Sequence, residues 1–429
     1  MKKCGSILLC IVLAAAMLVG CFAQPAKPLG SDQKNFSIPN GLISKQALAP
    51  NHAIDQTKIS AEVTQGNAAF ALALFQQLSR EDQGQNIFIS PFSISTALAM
   101  TYQGAGSTTR EAMAKALGFA AIEDSKVNDS FQNLIPYLSQ FDKKVQLSIS
   151  NSIWVREGEE IRPAFLKANQ EIFQAAVRTL DFEQEQAAGE INRWVSEATQ
   201  NKIEKIIDSP IGPDIIMYLL NAIYFKGDWA QQFDPKKTFE SKFQTENGTL
   251  GSVMMMSRKG KAEYGQGDNY QAVRLPYGKG KAAMYCLLPA KDITISDFVS
   301  TLDADLWQEI RESLAERDEV LLQLPRFKLE YGIKNLNPSL TSLGMGEAFT
   351  DKADFSGIRQ DLFISRVLHK AIIEVNEEGS EAAAVTVVEM TTTSVAEPLT
   401  FIADRPFLFL IVEEETGTIL FMGKYCQAD

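Results

Sequence analysis

His369–Glu397 reads HKAIIEVNEEGSEAAAVTVVEMTTTSVAE, and the fold turns on how this stretch is parsed. It begins as a strand, because Ile372, Ile373 and Val375 carry the β-branched side chains that strands favour. The pattern breaks at Glu377-Glu378-Gly379, where glycine offers a pivot. Beyond it a period of two separates the residues cleanly. Ser380, Ala382, Ala384, Thr386, Val388 and Met390 are uncharged, and the first four are small; both charges, Glu381 and Glu389, fall on the other parity. Alternate residues of a strand face opposite ways, so this run suits the centre of a sheet, with a small uncharged face inward and carboxylates outward. Alanine is also the best helix former, so on these residues alone helix and strand both stand. The tail, Thr391–Pro398, reads as an exposed loop, and no basic residue lies between Lys370 and Arg405.

The surrounding chain has 429 residues, 45% of them hydrophobic, enough for a large core. Residues 60–426 contain no linker and no internal repeat. A net charge of −12 argues against nucleic acid and anionic membrane surfaces as partners. Residues 1–20 read as a signal peptide: Lys2 and Lys3 open it, and Ile7–Val19 is apolar but short for a membrane span. Residues 22–59 hold Pro25, Pro28, Pro39 and Pro50 among polar residues, the composition of a flexible tether. After Cys21 only Cys286 and Cys426 remain, too few for a disulfide framework; Cys286, in an apolar run, reads as a buried free thiol.

Glu62–Ser79 has helical periodicity, with Phe70, Leu74, Phe75 and Leu78 on one face. Ser90 caps a helix that starts at Pro91 and buries Ile94, Ala97 and Leu98. Thr108 and Glu111 have capping-box spacing, and Gly118 ends that helix. Val145, Leu147, Ile149, Ile153 and Val155 alternate with polar residues as in a strand with one wet side. Ile191, Trp194, Val195 and Ala198 form a helix stripe, and Ile215–Phe225 reads as a strand buried on both faces.

Catalytic, nucleotide and metal signals are poor. The chain has two histidines, His52 in the tether and His369 in an apolar strand, so a nucleophile has only His369 as a candidate base. A buried, hydrogen-bonded role suits His369 better. Gly278-Lys279-Gly280-Lys281 lacks phosphate-loop spacing. Asp351, Asp354 and Gly357 lack the remaining ligands of a calcium loop, and no histidine pair is present to hold zinc.

Five stretches carry a family resemblance in one order. They are NIFISPFSISTALAMTYQGAGSTTREAM (86–113), NAIYFKGDWAQQFDPKKT (221–238), LQLPRFKLEY (322–331), LGMGEAFTDKADFSGI (343–358), and EVNEEGSEAAAVT (374–386) followed by ADRPFLFLIVEEETGTILFMGK (403–424). Together they resemble the serpins, over about residues 60–426. The resemblance resolves 380–390 as strand rather than helix. It implies an α+β fold, with three β-sheets, eight or nine helices and an exposed reactive-centre loop at about 377–400, in a domain spanning 60–429. It also implies inhibition of proteases by a suicide-substrate mechanism, with no enzyme activity, no cofactor and a monomeric state. The alternative within the family is a non-inhibitory binding or chaperone module. Such members spoil the hinge with charged, bulky or proline residues, which this chain does not.

Residue by residue, the resemblance assigns the hinge to Glu377, Gly379, Ser380, Ala382, Ala383, Ala384 and Thr386. It assigns a shutter beneath the central sheet to Ser90, Ser93, Asn221 and His369. Glu377 is expected to pair with Arg326, with Trp229 packed nearby, where the loop first enters the sheet. Counting from Gly379 puts the reactive bond at Thr393–Ser394; counting from Arg405-Pro406-Phe407 puts it at Thr392–Thr393. Either way a threonine meets the primary pocket of the protease. That implies elastase-like, subtilisin-like or papain-like targets and excludes trypsin-like ones. Asp124–Tyr137, where some relatives bind sulfated polysaccharide, offers only Lys126, which argues against a heparin-type activator. Leu18-Val19-Gly20-Cys21 resembles a bacterial lipobox, which implies lipid on Cys21 and hence a membrane-anchored lipoprotein at the cell surface or in the periplasm. An ordinary signal with a chance cysteine would instead leave the protein secreted.

Overall fold

The computed structural model describes residues 53–380 and 399–428. Among them are nine α-helices: α1 (Ala61–Glu81), α2 (Pro91–Tyr102), α3 (Ser107–Ala116), α4 (Asp124–Leu138), α5 (Pro163–Phe173), α6 (Ala187–Ala198), α7 (Ile295–Thr301), α8 (Ala304–Ser313) and α9 (Asn337–Leu340). The strands are β1 (Ile87–Ile89), β2 (Val145–Arg156), β3 (Ala176–Leu180), β4 (Met217–Asp228), β5 (Phe239–Gln244), β6 (Leu250–Gln266), β7 (Tyr270–Tyr277), β8 (Ala282–Pro289), β9 (Ala315–Glu330), β10 (Lys334–Asn335), β11 (Leu368–His369), β12 (Ile372–Val375), β13 (Gly379–Ser380), β14 (Leu399–Ile402), β15 (Phe407–Glu413) and β16 (Ile419–Tyr425). No helix among the described residues is long and apolar enough to cross a membrane.

The fold is α+β. Fourteen strands form one mixed network, in the order β1-β16-β15-β8-β7-β6-β9-β12-β13-β4-β2-β3, with β5 added to β6 and β14 to β9. Two long strands weld its regions together. The first part of β9 pairs with β6 and β14, while its last residues, Phe327–Glu330, pair with β12. β6 runs from its pairing with β5 at Leu250–Met255 to its pairing with β7 at Glu263–Gln266. β10 and β11 form a separate two-stranded sheet.

The core lies beneath this surface. β15 and β16 are buried at every position, as strands covered on both faces must be. Phe88 stacks on Phe421 with ring centroids 5.4 Å apart. α2 is buried nearly all round, well beyond Ile94 and Leu98, because strands and helices enclose it; Ala97, expected on the buried face, is its one half-buried residue, where the helix borders the open slot. β4 departs from expectation: most of its residues are half-buried, not buried on both faces, since one edge and part of one face border an open slot.

Two local features differ from the sequence reading for a tertiary reason. The Thr108–Glu111 capping box does not form. α3 starts from Gly106 without a side-chain cap, and Thr108 and Thr109 both donate to Glu347 at 2.7 Å. A carboxylate distant in sequence thus replaces the local one. Residues 54–59, which composition groups with the tether, lie against α4. The Asp55 amide donates to Asn133 Oδ1 at 2.9 Å, the Ser60 amide donates to Ser130 Oγ at 3.0 Å, and Ile54 and Ile59 pack on the core.

Gly118 follows α3 with φ at +77°, and a Cβ there would fall 2.6 Å from the Gly66 Cα of α1. The obstacle is backbone, which cannot step aside. Gly118→Ala is expected to destabilise the fold by about 2 kcal/mol or more, combining left-handed strain with overpacking. Equilibrium urea unfolding of the variant beside the parent checks this.

Candidate functional site

Strand β12 ends at Val375, and the chain turns back at once. Asn376 Oδ1 accepts from the amides of Glu378 and Gly379 at 3.0 and 3.2 Å, and the Asn376 amide donates to the Gly379 carbonyl at 3.0 Å. A short polar side chain that hydrogen-bonds its own turn is what asparagine does well. Gly379 closes the turn because a Cβ there would overlap the carbonyl oxygen of Gly227. The returning residues enter the sheet as β13, antiparallel to both neighbours. Gly379 pairs with Asp228 and Ser380 with Gly227 on β4, and Ser380 also pairs with Val375 on β12.

The 229–233 segment bolts this turn down. The Trp229 amide donates to the Glu378 carbonyl at 2.8 Å, its indole Nε1 donates to the Asn376 carbonyl at 2.9 Å, and the Phe233 amide donates to the Glu377 carbonyl at 2.8 Å. Trp229 stacks on Tyr277 at 4.5 Å between ring centroids. Tyr277 is fully buried, which pushes its hydroxyl pKa well up, so it stays a neutral hydrogen-bonding group; it meets Ser380 Oγ at 2.7 Å. Ser380 therefore points inward. Glu377 is buried too, and its Oε1 accepts from Thr238 Oγ1 at 2.7 Å and faces Arg326 Nη1 at 3.6 Å. Two groups thus compensate one buried carboxylate. Neighbouring Arg258 is half-buried, and desolvation lowers its pKa to about 10; it donates to the Gln231 carbonyl at 2.6 Å and lies over the Phe233 ring.

Deeper in the sheet, Ser90 caps α2. Its Oγ accepts from the Ser93 amide at 3.2 Å and donates to the Leu420 carbonyl at 2.7 Å. Its amide donates to His369 Nε2 at 3.1 Å. This nitrogen must be unprotonated to accept, which leaves the proton on Nδ1. Burial lowers the His369 pKa to about 4, so the ring is neutral at neutral pH. A serine–histidine catalytic pair is excluded here, because the imidazole's accepting nitrogen is engaged by a backbone amide and the Ser90 hydroxyl points to a carbonyl. Asn221 Nδ2 donates to Asn151 Oδ1 at 2.7 Å, and Ser93 Oγ lies 3.5 Å from the Asn221 carbonyl. Asn221 Oδ1 is buried without a hydrogen-bond partner.

Between these two clusters runs the slot. Among the described residues, β4 pairs with β2 along one edge and only with Gly379–Ser380 on the other, while β12 pairs with β9 and, on its other edge, only with Ser380. Beneath α6 the slot widens to a chamber of about 370 Å³, bordered by Asn221, His369 and the 355–370 segment and floored by α2. The structure thus gathers Glu377, Gly379, Ser380, Trp229 and Arg326 at the top of the slot and Ser90, Ser93, Asn221 and His369 beneath it. Ala382, Ala383, Ala384, Thr386, the bonds at Thr392–Thr393 and Thr393–Ser394, and Cys21 lie outside the described residues. Sequence reasoning missed Thr238, Tyr277 and Asn376. Only Asn376 had a local signal, an asparagine followed three residues on by glycine. No group of acidic, histidine or cysteine side chains among the described residues could hold a metal ion, and Cys286 and Cys426 are free and buried.

A family model, serpin (serine protease inhibitor), matches residues 65–428. Intracellular coagulation inhibitor 2 of Tachypleus tridentatus is 38% identical over 364 residues, covering 83% of this chain and 88% of that protein. Leukocyte elastase inhibitor A of Rattus norvegicus is 35% identical over 378 residues, covering 85% and 99%. The native-state crystal structure of tengpin, a thermophilic serpin, superposes with a TM-score of 0.77 at 30% identity, covering 89% of this chain and 96% of that one. The chain belongs to the serpin family of serine protease inhibitors.

Proposed function

We propose that the protein inhibits elastase-like, subtilisin-like or papain-like proteases as a suicide substrate. The observation that carries this reading is the placement of Gly379 and Ser380 between β4 and β12, with Ser380 inward. They form the first two residues of a strand that the slot is shaped to receive. Continuing the same register would carry Ala382 between Phe225 and Ile373, Ala384 between Ile223 and Ala371, and Thr386 between Asn221 and His369. All three share the inward parity of Ser380, and all are small and uncharged.

In the proposed mechanism the protease nucleophile attacks the carbonyl of Thr393, or Thr392 in the alternative register. It forms an acyl-enzyme and releases the amine of the next residue. The freed segment then inserts as a new strand, satisfying the main-chain groups along both slot edges and burying its inner face. Insertion competes with hydrolysis of the acyl bond, so any desolvation cost on the inward parity would favour release. The names of two relatives, a coagulation inhibitor and an elastase inhibitor, support an inhibitory rather than a carrier role. Threonine suits a shallow primary pocket, whereas a trypsin-like pocket would keep its buried carboxylate unpaired. The leader and lipobox support export, with lipid on Cys21 and residues 22 onward as a spacer from the membrane. No heparin-type activator is invoked.

Mixing the protein with an elastase-like, a papain-like and a trypsin-like protease tests this reading. A covalent complex that survives a denaturing gel is expected with the first two and not the third; cleavage without complex in all three would favour a non-inhibitory role. Ala384→Arg should convert the inhibitor into a substrate, raising the molar ratio needed for full inhibition at least about tenfold, because an unpaired guanidinium costs several kcal/mol to bury. Glu381→Arg, on the outward parity, should change that ratio little, and equal effects from the two would overturn the parity assignment. Cys21→Ala should move the protein from the membrane fraction to the soluble one, and mass spectrometry of the parent should show a diacylglyceryl mass on Cys21.

A further inference from the structure

Strands β12 and β13 are joined by the loop Asn376–Gly379, which lies between the paired residues Val375 and Ser380. In such a hairpin the length and shape of the loop set the register, and a slip of one residue turns every side chain of the strand to the other face. That slip would take Ser380 away from Tyr277 and give the carboxylate of Glu381 the inward parity. One side chain shapes the loop from within. Asn376 Oδ1 accepts from the amides of both Glu378 and Gly379, while its own amide donates to the Gly379 carbonyl and its carbonyl accepts from the Trp229 indole. The two glutamates do not share this work. Glu377 turns its carboxylate away to Thr238 and Arg326, and the Glu378 carbonyl is held from outside by the Trp229 amide and Gln232 Nε2.

We propose that Asn376 is a positioning residue for strand insertion: its side-chain oxygen fixes the loop, and with it the register in which the chain enters between β4 and β12. It acts through Gly379 and Ser380, away from the scissile bond. This role rests on the inhibitory reading above and names the residue that sets its starting geometry. The physical ground is timing. Insertion races hydrolysis of the acyl bond, and closing a loop costs conformational entropy before further pairing can offset it. With Asn376 in place, that ordering is complete in the folded protein before a protease arrives, and each later residue extends an existing strand. With alanine at 376 the amides of Glu378 and Gly379 lose their acceptor, the loop samples other closures, and the acyl bond has longer to hydrolyse. The position requires only an acceptor, so aspartate serves where alanine does not. The added charge beside Glu377 and Glu378 is received by the same two amides, as charge-assisted hydrogen bonds.

The experiment uses the full chain and an elastase-like protease, and compares the parent with Asn376→Ala, Asn376→Asp and Gly118→Ala, the last destabilised away from the slot. Amide hydrogen exchange of Glu378 and Gly379 in the free protein should quicken at least about tenfold in Asn376→Ala and stay parental in Asn376→Asp. The number of inhibitor molecules cut per protease trapped should rise at least about fivefold in Asn376→Ala, with the rate of loop cleavage unchanged, and return to within about twofold of the parent in Asn376→Asp. Gly118→Ala should leave the trapping ratio unchanged, which separates register from general stability. Parental exchange in Asn376→Ala, an unchanged trapping ratio, an equal rise in Gly118→Ala, or an aspartate variant no better than alanine would each overturn the role of Asn376. A parent that is cut but traps no protease overturns the inhibitory reading instead, and the exchange measurement alone then decides whether Asn376 holds the turn.

Discussion

A sheet strand has two edges, and each edge carries main-chain donors and acceptors that need partners. Among the described residues, the facing edges of β4 and β12 meet this requirement only at Gly379 and Ser380. Below that point the strands part, and the slot between them runs down to the chamber under α6. β2 and β3 lie beyond the outer edge of β4, and β9 covers the outer edge of β12.

Two clusters govern the slot from its ends, and they work by different physics. At the top, specific hydrogen bonds fix a turn: three successive carbonyls, of Asn376, Glu377 and Glu378, each receive a donor from Trp229 or Phe233, and Glu377 is compensated by Thr238 and Arg326. These bonds hold β13 in register between β4 and β12. In the middle, Ser90, His369, Ser93 and Asn221 sit where helix α2 meets the sheet, and one acceptor remains unmatched. That region is less fully satisfied than the top. His369 serves here as a neutral hydrogen-bond acceptor, and its buried setting removes it from the proton chemistry that a histidine suggests on paper.

Much of this was legible in the chain itself. The parity of 380–390, with both charges on one side, follows from residue types alone, and the inward hydroxyl of Ser380 lies on the uncharged side. Ser90 before Pro91 announced the start of α2, and Gly118 announced the end of α3. The lone histidine in an apolar strand was recognisable as a structural group. Where local reading failed, a distant group had taken over. Thr108 finds Glu347 instead of Glu111, and β4 borders a slot that no local pattern of hydrophobicity encodes.

The sequence by itself determined the parity of 380–390 and the structural setting of His369, because these depend on residue type and period, while the α+β class came through the resemblance of its motifs to the serpins. Only the tertiary structure decided that Glu377 has Thr238 as well as Arg326, that the Tyr277 and Ser380 hydroxyls share a hydrogen bond, and that Asn221 keeps a buried acceptor open. Each of these contacts joins segments dozens to more than a hundred residues apart. Their geometry is set by how β4, β9 and β12 are held relative to one another, and no local periodicity carries that information.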